Sequence, residues 1–183
     1  MKQSWLIALL GISISAPAPA QIGIYGKLDA VRLNAASPGA AASTTWYYGP
    51  SAGIYDDFLH LGPISLGADL RGDYLWGNEQ RYRSALFGLR LAAKPPLLPF
   101  KPYVQGSVGV GGASSSGLNG SGSTFSNKFQ YQVLGGLDYN FFPHLDLRLV
   151  EAGYGRMSGI SSSGLAPEAT LFTLGAGLAI RLP

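Results

Sequence analysis

The sequence lacks cysteine altogether and has only two histidines among its 183 residues, while 13 basic and 10 acidic side chains leave a formal charge of +3. A fold without cysteine cannot rely on disulfides. No cluster of histidines or carboxylates has the spacing of a metal site, so we predict no metal and no cofactor. The basic residues are scattered rather than gathered in a run, which argues against nucleic acid as a partner.

Long apolar runs are also missing. Beyond residue 20, no stretch reaches the 18 or more consecutive apolar residues typical of a transmembrane helix. A chain can still cross lipid with strands, because a closed barrel pairs every backbone N–H and C=O group within the protein. The sequence therefore argues against a helical membrane protein and leaves a barrel open.

The first twenty residues have the three parts of a secretory signal. Lys2 supplies a positive charge, Trp5–Ile12 is a short apolar segment, and Ala18-Pro19-Ala20 is a small-residue cleavage site before Gln21. We therefore predict a cleavable signal peptide over residues 1–20 and one barrel domain over residues 21–183.

Alternation of apolar with small or polar residues dominates the rest of the chain. Its clearest case is the C-terminal segment, where one face carries Phe172, Leu174, Ala176, Leu178, Ile180 and Leu182. Seven earlier segments alternate as well. In the second, about Thr45–Asp57, Pro50 cannot donate a ladder hydrogen bond, which predicts a bulge or a sheet edge. In the seventh, the phase changes near Val150-Glu151, which predicts a bulge before Gly153.

Eight such segments predict an all-β fold, an eight-stranded antiparallel up-and-down transmembrane β-barrel. Barrels of this kind have short periplasmic turns and longer extracellular loops. Long connections rich in Gly, Ser and Ala follow segments one, five and seven, at Asn34–Thr44, Ala113–Asn127 and Ser158–Pro167. Compact turns follow segments two, four and six, at Phe58–Gly62, Pro95–Lys101 and Phe142–His144.

The polar faces of the strands would collect charges inside the barrel, where eight strands leave just enough room for side chains. This lumen network is predicted to contain Lys27, Asp29, Asp69, Arg71, Asp73, Arg90, Asp138, Asp146, Arg148 and Glu151. Buried charges must be paired, which favours a structural plug. The alternative is a narrow ion path gated by rearrangement of the same pairs.

Aromatic residues are expected to form two belts at the membrane interfaces. The predicted extracellular belt contains Trp46, Tyr48, Tyr74, Trp76, Tyr82, Phe129 and Tyr154. The predicted periplasmic belt contains Phe100, Tyr103, Tyr139 and Phe141.

Three motifs carry a resemblance to a known family: Gln21-Ile22-Gly23-Ile24-Tyr25-Gly26, residues Leu147–Tyr154, and the C-terminal strand Leu174–Leu182. With them the chain resembles the small OmpA/OmpX-type, opacity-protein-like outer-membrane barrels. The resemblance implies a location in the bacterial outer membrane and contact with its lipid and lipopolysaccharide. It also implies insertion by the barrel-assembly machinery, and we expect a monomer.

Three functions are compatible with such a barrel. We favour a structural, adhesive or surface-antigen role through the extracellular loops, with an unknown extracellular ligand. The runner-up is a small-conductance, porin-like channel. An enzyme that modifies lipid A is disfavoured, because His60 and His144 fall in predicted periplasmic turns, away from that substrate. We therefore predict no catalytic residues.

Overall fold

The computed structural model describes residues 21–35, 43–77, 80–115, 128–161 and 164–182, and the predicted signal peptide lies outside them. The described chain forms eight strands: β1 (Gln21–Ala35), β2 (Ser43–Leu61), β3 (Ile64–Gly77), β4 (Gln80–Ala93), β5 (Phe100–Ser115), β6 (Lys128–Phe142), β7 (Leu145–Ser161) and β8 (Gly164–Arg181). Within the described ranges, no helix is long and apolar enough to cross a membrane.

The eight strands close into one antiparallel barrel. Each strand pairs with the next in sequence, and β8 returns to β1 with Gly23 opposite Arg181 and Ala35 opposite Ala169. The predicted up-and-down barrel is confirmed. Closure removes every free sheet edge, which is the condition for placing strands in hydrocarbon.

Alternation along each strand sorts side chains between the lumen and the exterior. In β4, Phe87, Leu89 and Leu91 are exposed on the outer face, whereas Gly88 and Arg90 between them are buried. The outer surface of the barrel is therefore apolar through the middle of the strands. Such an exterior suits hydrocarbon, since a barrel in water would carry charges there.

The predicted irregularity of β7 is confirmed as a bulge. Both neighbouring strands change register across Leu149 and Val150, so that two residues of β7 lie opposite one of β8. Leu149 and Val150 consequently both face outward, at 40% and 43% exposure, while Arg148 and Glu151 both face the lumen. The bulge is what brings Glu151 inside, because unbroken alternation would have turned it toward lipid.

The strands extend into all six predicted connections, since Ala113–Ser115 belong to β5 and Phe142 belongs to β6. β2 runs through the expected turn to Leu61, so the turn contains only Gly62 and Pro63, with Gly62 at a φ of 62°. The expected loop at Ser158–Pro167 is largely paired strand, with Ser161 opposite Gly164. β5 begins at Phe100, before the expected turn ends, and Asn34, Ala35, Ser43 and Thr44 are paired. Gly- and Ser-rich segments were mistaken for loops because ladder pairing in a barrel does not need β-prone side chains.

Pro50 marks neither a bulge nor an edge. It pairs with Leu28 of β1, and the register with β3 is the same on both sides of it. The ladder to β3 lacks a pair between Tyr48 and Ser51, and its register changes only farther along β2, between Asp56 and Leu59. The missing N–H therefore falls in a short gap in the pairing rather than at a change of register.

Gly109 allows a close approach of β5 to β4. A methyl group added there would overlap the Ala85 carbonyl oxygen and lie 2.9 Å from Leu86 Cα, whereas one added at Gly106 would meet nothing within 4 Å. We expect Gly109→Ala to lower the free energy of unfolding by about 1–3 kcal/mol, because backbone cannot yield as a flexible side chain can. The matched Gly106→Ala change should stay within about 0.5 kcal/mol. Urea unfolding in detergent measures both, and equal values would contradict the close approach.

Candidate functional site

The barrel lumen gathers the side chains that were predicted to line it. Nine of them are buried, Lys27, Asp29, Asp69, Arg71, Arg90, Asp138, Asp146, Arg148 and Glu151, and Asp73 is half-buried. They come from β1, β3, β4, β6 and β7. Whether this network serves stability or transport depends on how its charges are paired and on whether other side chains fill the rest of the lumen.

Glu151 is the centre of the network. Its carboxylate accepts hydrogen bonds from Lys27 Nζ at 2.7 Å, from Arg71 at 2.9 Å and from Arg148 at 3.3 Å. The hydroxyl of Tyr103 donates to it as well. Several donors on one carboxylate with no exposed surface form a charge-assisted cluster around Glu151.

Two further carboxylates extend the cluster on either side. Asp138 accepts from Arg90 at 2.6 Å and from Arg148 at 3.0 Å, so Arg148 bridges Asp138 and Glu151. On the other side, Lys27 bridges Glu151 and Asp29, with a distance of 2.6 Å to the latter. The charges thus alternate in sign across the lumen, as buried charges must if they are to offset their desolvation.

Tyrosine rings separate the buried arginines. The guanidinium of Arg148 lies 4.3 Å from the ring centre of Tyr25 and 4.9 Å from that of Tyr103. The guanidinium of Arg90 lies 4.0 Å from Tyr103 and 4.3 Å from Tyr55. The result is a stack that alternates ring and cation, Tyr25–Arg148–Tyr103–Arg90–Tyr55. Each contact of a desolvated arginine with a ring stabilises it by roughly 0.5–2 kcal/mol.

The placement of Tyr103 in the periplasmic belt was wrong, because its ring is in the lumen and only 4% exposed. Tyr25 and Tyr55 were not predicted as lumen residues at all. The signal was available, since Tyr103 and Gln105 share one face of β5, as Tyr25 and Lys27 share one face of β1. Aromatic character outweighed that alternation in the sequence interpretation.

An apolar cluster lies in the lumen between the ion pairs and the end of the barrel that is predicted to be extracellular. It consists of Val31, Tyr47, Leu75, Tyr82, Met157, Ala169 and Leu171, which come from six of the eight strands. Leu75 and Leu171 are at most 1% exposed. Tyr82 was also assigned wrongly to a belt, because it packs in this cluster and donates to Gln130 at 2.7 Å. Buried side chains from six strands at one level are what a filled lumen would show, since eight strands leave just enough room for side chains.

The opposite end of the lumen, which is predicted to be periplasmic, has ion pairs that were not predicted. Lys101 Nζ lies 2.6 Å from a carboxylate oxygen of Asp57, and Arg181 lies 3.0 Å from Asp146. The sequence places Asp57 at the end of a strand and Lys101 in a turn. Both lie within strands in the structure, because β2 and β5 are longer than expected at this end. Only Asp146 among these four was predicted to belong to the network.

The remaining predicted belt residues face outward. Near the extracellular ends, the rings of Trp46 and Tyr48 stack with their centres 6.1 Å apart, and those of Tyr74 and Trp76 pack edge to face at 4.8 Å. Phe129 and Tyr154 lie at the same end of β6 and β7. At the periplasmic ends, Phe100 packs against Tyr139 at 5.3 Å and Phe141 against Phe142 at 4.6 Å. This arrangement is typical of interfacial belts.

Comparisons of sequence find no family profile and no curated protein that matches the chain. Solved structures do match. Neisserial surface protein A (NspA) superimposes with a TM-score of 0.57 at 17% identity, over 87% of this chain and 97% of that one. Ail, the attachment invasion locus protein of Yersinia pestis, in complex with the heparin analogue sucrose octasulfate, gives a TM-score of 0.57 at 16% identity, over 89% and 99%. At these identities the likeness shows a shared fold.

Proposed function

We propose that this chain, whose fold is that of the small OmpA/OmpX-type outer-membrane barrels, is an exported outer-membrane protein with a sealed lumen that acts by contact at the cell surface. The observation that carries the proposal is the apolar cluster above the ion pairs. A lumen that is filled on one side by packed rings and leucines, and in the middle by paired charges, is built for stability. A sealed lumen transports nothing, so the proposed function falls to the surface at the extracellular end of the barrel.

Positive charge on the outer surface is concentrated at that end. Arg32, Arg81, Arg83 and Arg156 are exposed near the extracellular ends of β1, β4 and β7, and we call them the arginine rim. At the periplasmic end, Lys94 is exposed. The connecting residues 36–42 and 116–127 have no charged side chain, and the β3–β4 connection contains one acidic residue, Glu79. The rim therefore favours an anionic partner, and the structurally similar Ail was solved with a heparin analogue.

The channel is the weaker proposal. It would require the apolar cluster to separate and the Glu151 cluster to rearrange together, since each alone fills the lumen. An enzymatic role has little support, because His60 lies near the periplasmic end of β2 and His144 lies in the β6–β7 turn, across the barrel at the same end. Neither position reaches the extracellular leaflet.

Adherence of bacteria that display the protein to heparin-coated beads tests the proposal. We expect the wild-type chain to raise adherence, and Arg81→Gln/Arg83→Gln/Arg156→Gln to remove most of the gain, because exposed cations dominate attraction to a polyanion. The gain should also shrink at high salt. Lys94→Gln is the matched control at the opposite end and should adhere as the wild type does. Equal adherence of all strains, with equal amounts of folded protein, would overturn the adhesive role.

A further inference from the structure

Each tyrosine of the tyrosine–arginine stack lies against a glycine of the neighbouring strand. The partners stand directly opposite each other in the ladder, and we call them the tyrosine–glycine pairs: Tyr25 with Gly53, Tyr55 with Gly23, and Tyr103 with Gly136. A methyl group added to any of these glycines would overlap the tyrosine opposite it. The rings therefore occupy space that exists only because the opposite residue has no side chain.

Alternation along the strands does not by itself fix their register. A slip of one residue would turn every side chain to the other face, but a slip of two residues keeps the lumen face and the outer face as they are. The apolar exterior and the polar lumen would both survive such a slip. Another feature of the strands has to exclude it.

The tyrosine–glycine pairs of β1 and β2 distinguish the native register from both two-residue slips. A slip in one direction would bring Tyr25 opposite Tyr55, so that two rings compete for the space of one. A slip in the other direction would bring Gly23 opposite Gly53, with no side chain between them. Because the two pairs are reciprocal, neither direction preserves either contact.

The pair on β5 and β6 discriminates in the same way. A two-residue slip would bring the Tyr103 ring against the side chain of Leu134 or Asp138. These strands lie across the closed barrel from β1 and β2. The rings of the two sides meet in the stack, where Arg148 lies between Tyr25 and Tyr103. Both sides must be in register before the buried guanidinium has a ring on each face.

We propose that the tyrosine–glycine pairs form a register lock that governs assembly of the barrel. A chain in which the pairs do not engage is held in a two-residue slip and does not complete the tyrosine–arginine stack. The inference goes beyond contact at the cell surface, since it concerns how the filled lumen forms. It gives the lumen glycines a role that their neighbours on the outer face do not share.

The first test measures how fast the full chain, exported, purified and unfolded in urea, refolds into phosphatidylcholine vesicles, as read from heat-modifiable gel mobility. At Gly23 and Gly136 the nearest atoms to an added methyl group all belong to a tyrosine ring. Those rings are buried and pack on guanidinium groups, so they cannot swing aside freely. Gly23→Ala and Gly136→Ala should each slow refolding about tenfold, as overpacking does when it acts on the folding transition state.

Gly26→Ala and Gly135→Ala are the matched controls on the same two strands. An added methyl group meets nothing within 4 Å at Gly26 and only a carbonyl oxygen at 3.9 Å at Gly135, so both variants should refold as the wild type does. In a Tyr103→Leu background, Gly136→Ala should cause no further slowing, because the ring that it obstructs is gone. A tenfold effect that persists there would overturn the lock, since the glycine would then act without the ring.

Introduced cysteines report the register itself, since the chain has none. Ile24→Cys with Ile54→Cys, which stand opposite each other, should form a disulfide in the native register. Ile24→Cys with Ala52→Cys, or with Asp56→Cys, should form one only after a two-residue slip. We expect the slipped disulfides in the slowly folding fraction of Gly23→Ala and not in the wild type. Equal refolding rates of all four glycine variants, or native disulfides alone in Gly23→Ala, would overturn the inference.

Discussion

Replacement of Glu151 by glutamine is expected to lower the free energy of unfolding by about 3–5 kcal/mol, the usual effect of removing one partner of a buried ion cluster. The amide keeps the size of the side chain but withdraws the charge that faces Lys27, Arg71 and Arg148. Those cations are at most 4% exposed and cannot recover hydration in the folded barrel. Reversible urea unfolding in detergent or lipid vesicles, followed by tryptophan fluorescence, measures the change.

A double variant separates loss of charge balance from loss of packing. Lys27→Met/Glu151→Gln removes one cation together with the carboxylate, so part of the stability should return relative to Glu151→Gln alone. Lys27 also contacts Asp29, which limits the recovery. A loss below about 1 kcal/mol for Glu151→Gln would contradict the central role given to this carboxylate.

Arg148→Ala is expected to lower the free energy of unfolding by a similar amount, about 3–5 kcal/mol, and yet to leave the barrel without measurable conductance. The change removes the bridge between Asp138 and Glu151 and the cation between Tyr25 and Tyr103. It does not touch the apolar cluster on the extracellular side, which still fills the lumen. Urea unfolding gives the first quantity, and single-channel recording in planar bilayers gives the second.

Arg148→Lys is the control that keeps the positive charge and removes the planar guanidinium group. A lysine keeps the charge but cannot stack its flat face on Tyr25 and Tyr103 or bridge two carboxylates with a rigid fork, so an intermediate loss is expected. Discrete current steps from the wild type, or steps that appear in Arg148→Ala, would favour the channel over the sealed lumen. Such steps would mean that the apolar cluster opens.

Alternation was enough to predict the barrel and the burial of its charges. A period of two places every second side chain on one side of a strand, so charges at alternate positions on β3 had to face inward. The same rule predicted the β7 bulge, because Asp146, Arg148 and Glu151 cannot all face inward without an extra residue. These conclusions need only the order of residues along one strand.

The errors arose where a residue type was given more weight than its position. Tyr82 and Tyr103 were assigned to belts as aromatics, although their positions along β4 and β5 pointed into the lumen. A tyrosine suits either place, because its ring stacks on a guanidinium as well as it lies at an interface. Likewise, the Gly- and Ser-rich residues around Ser161 and Gly164 were taken as a loop but form paired strand.

By itself, the sequence determined the strand count, the inward set of charges, the outward apolar face and the point at which β7 changes phase, because each depends on local periodicity. Only the closed barrel decided which partners meet. Lys27 and Glu151 are 124 residues apart, and Arg90 and Asp138 are 48 apart. Their contact depends on the register of eight strands taken together, as does the tyrosine–arginine stack. The relative position of two distant strands depends on the pairing register of every strand between them, and the sequence of no single strand specifies it.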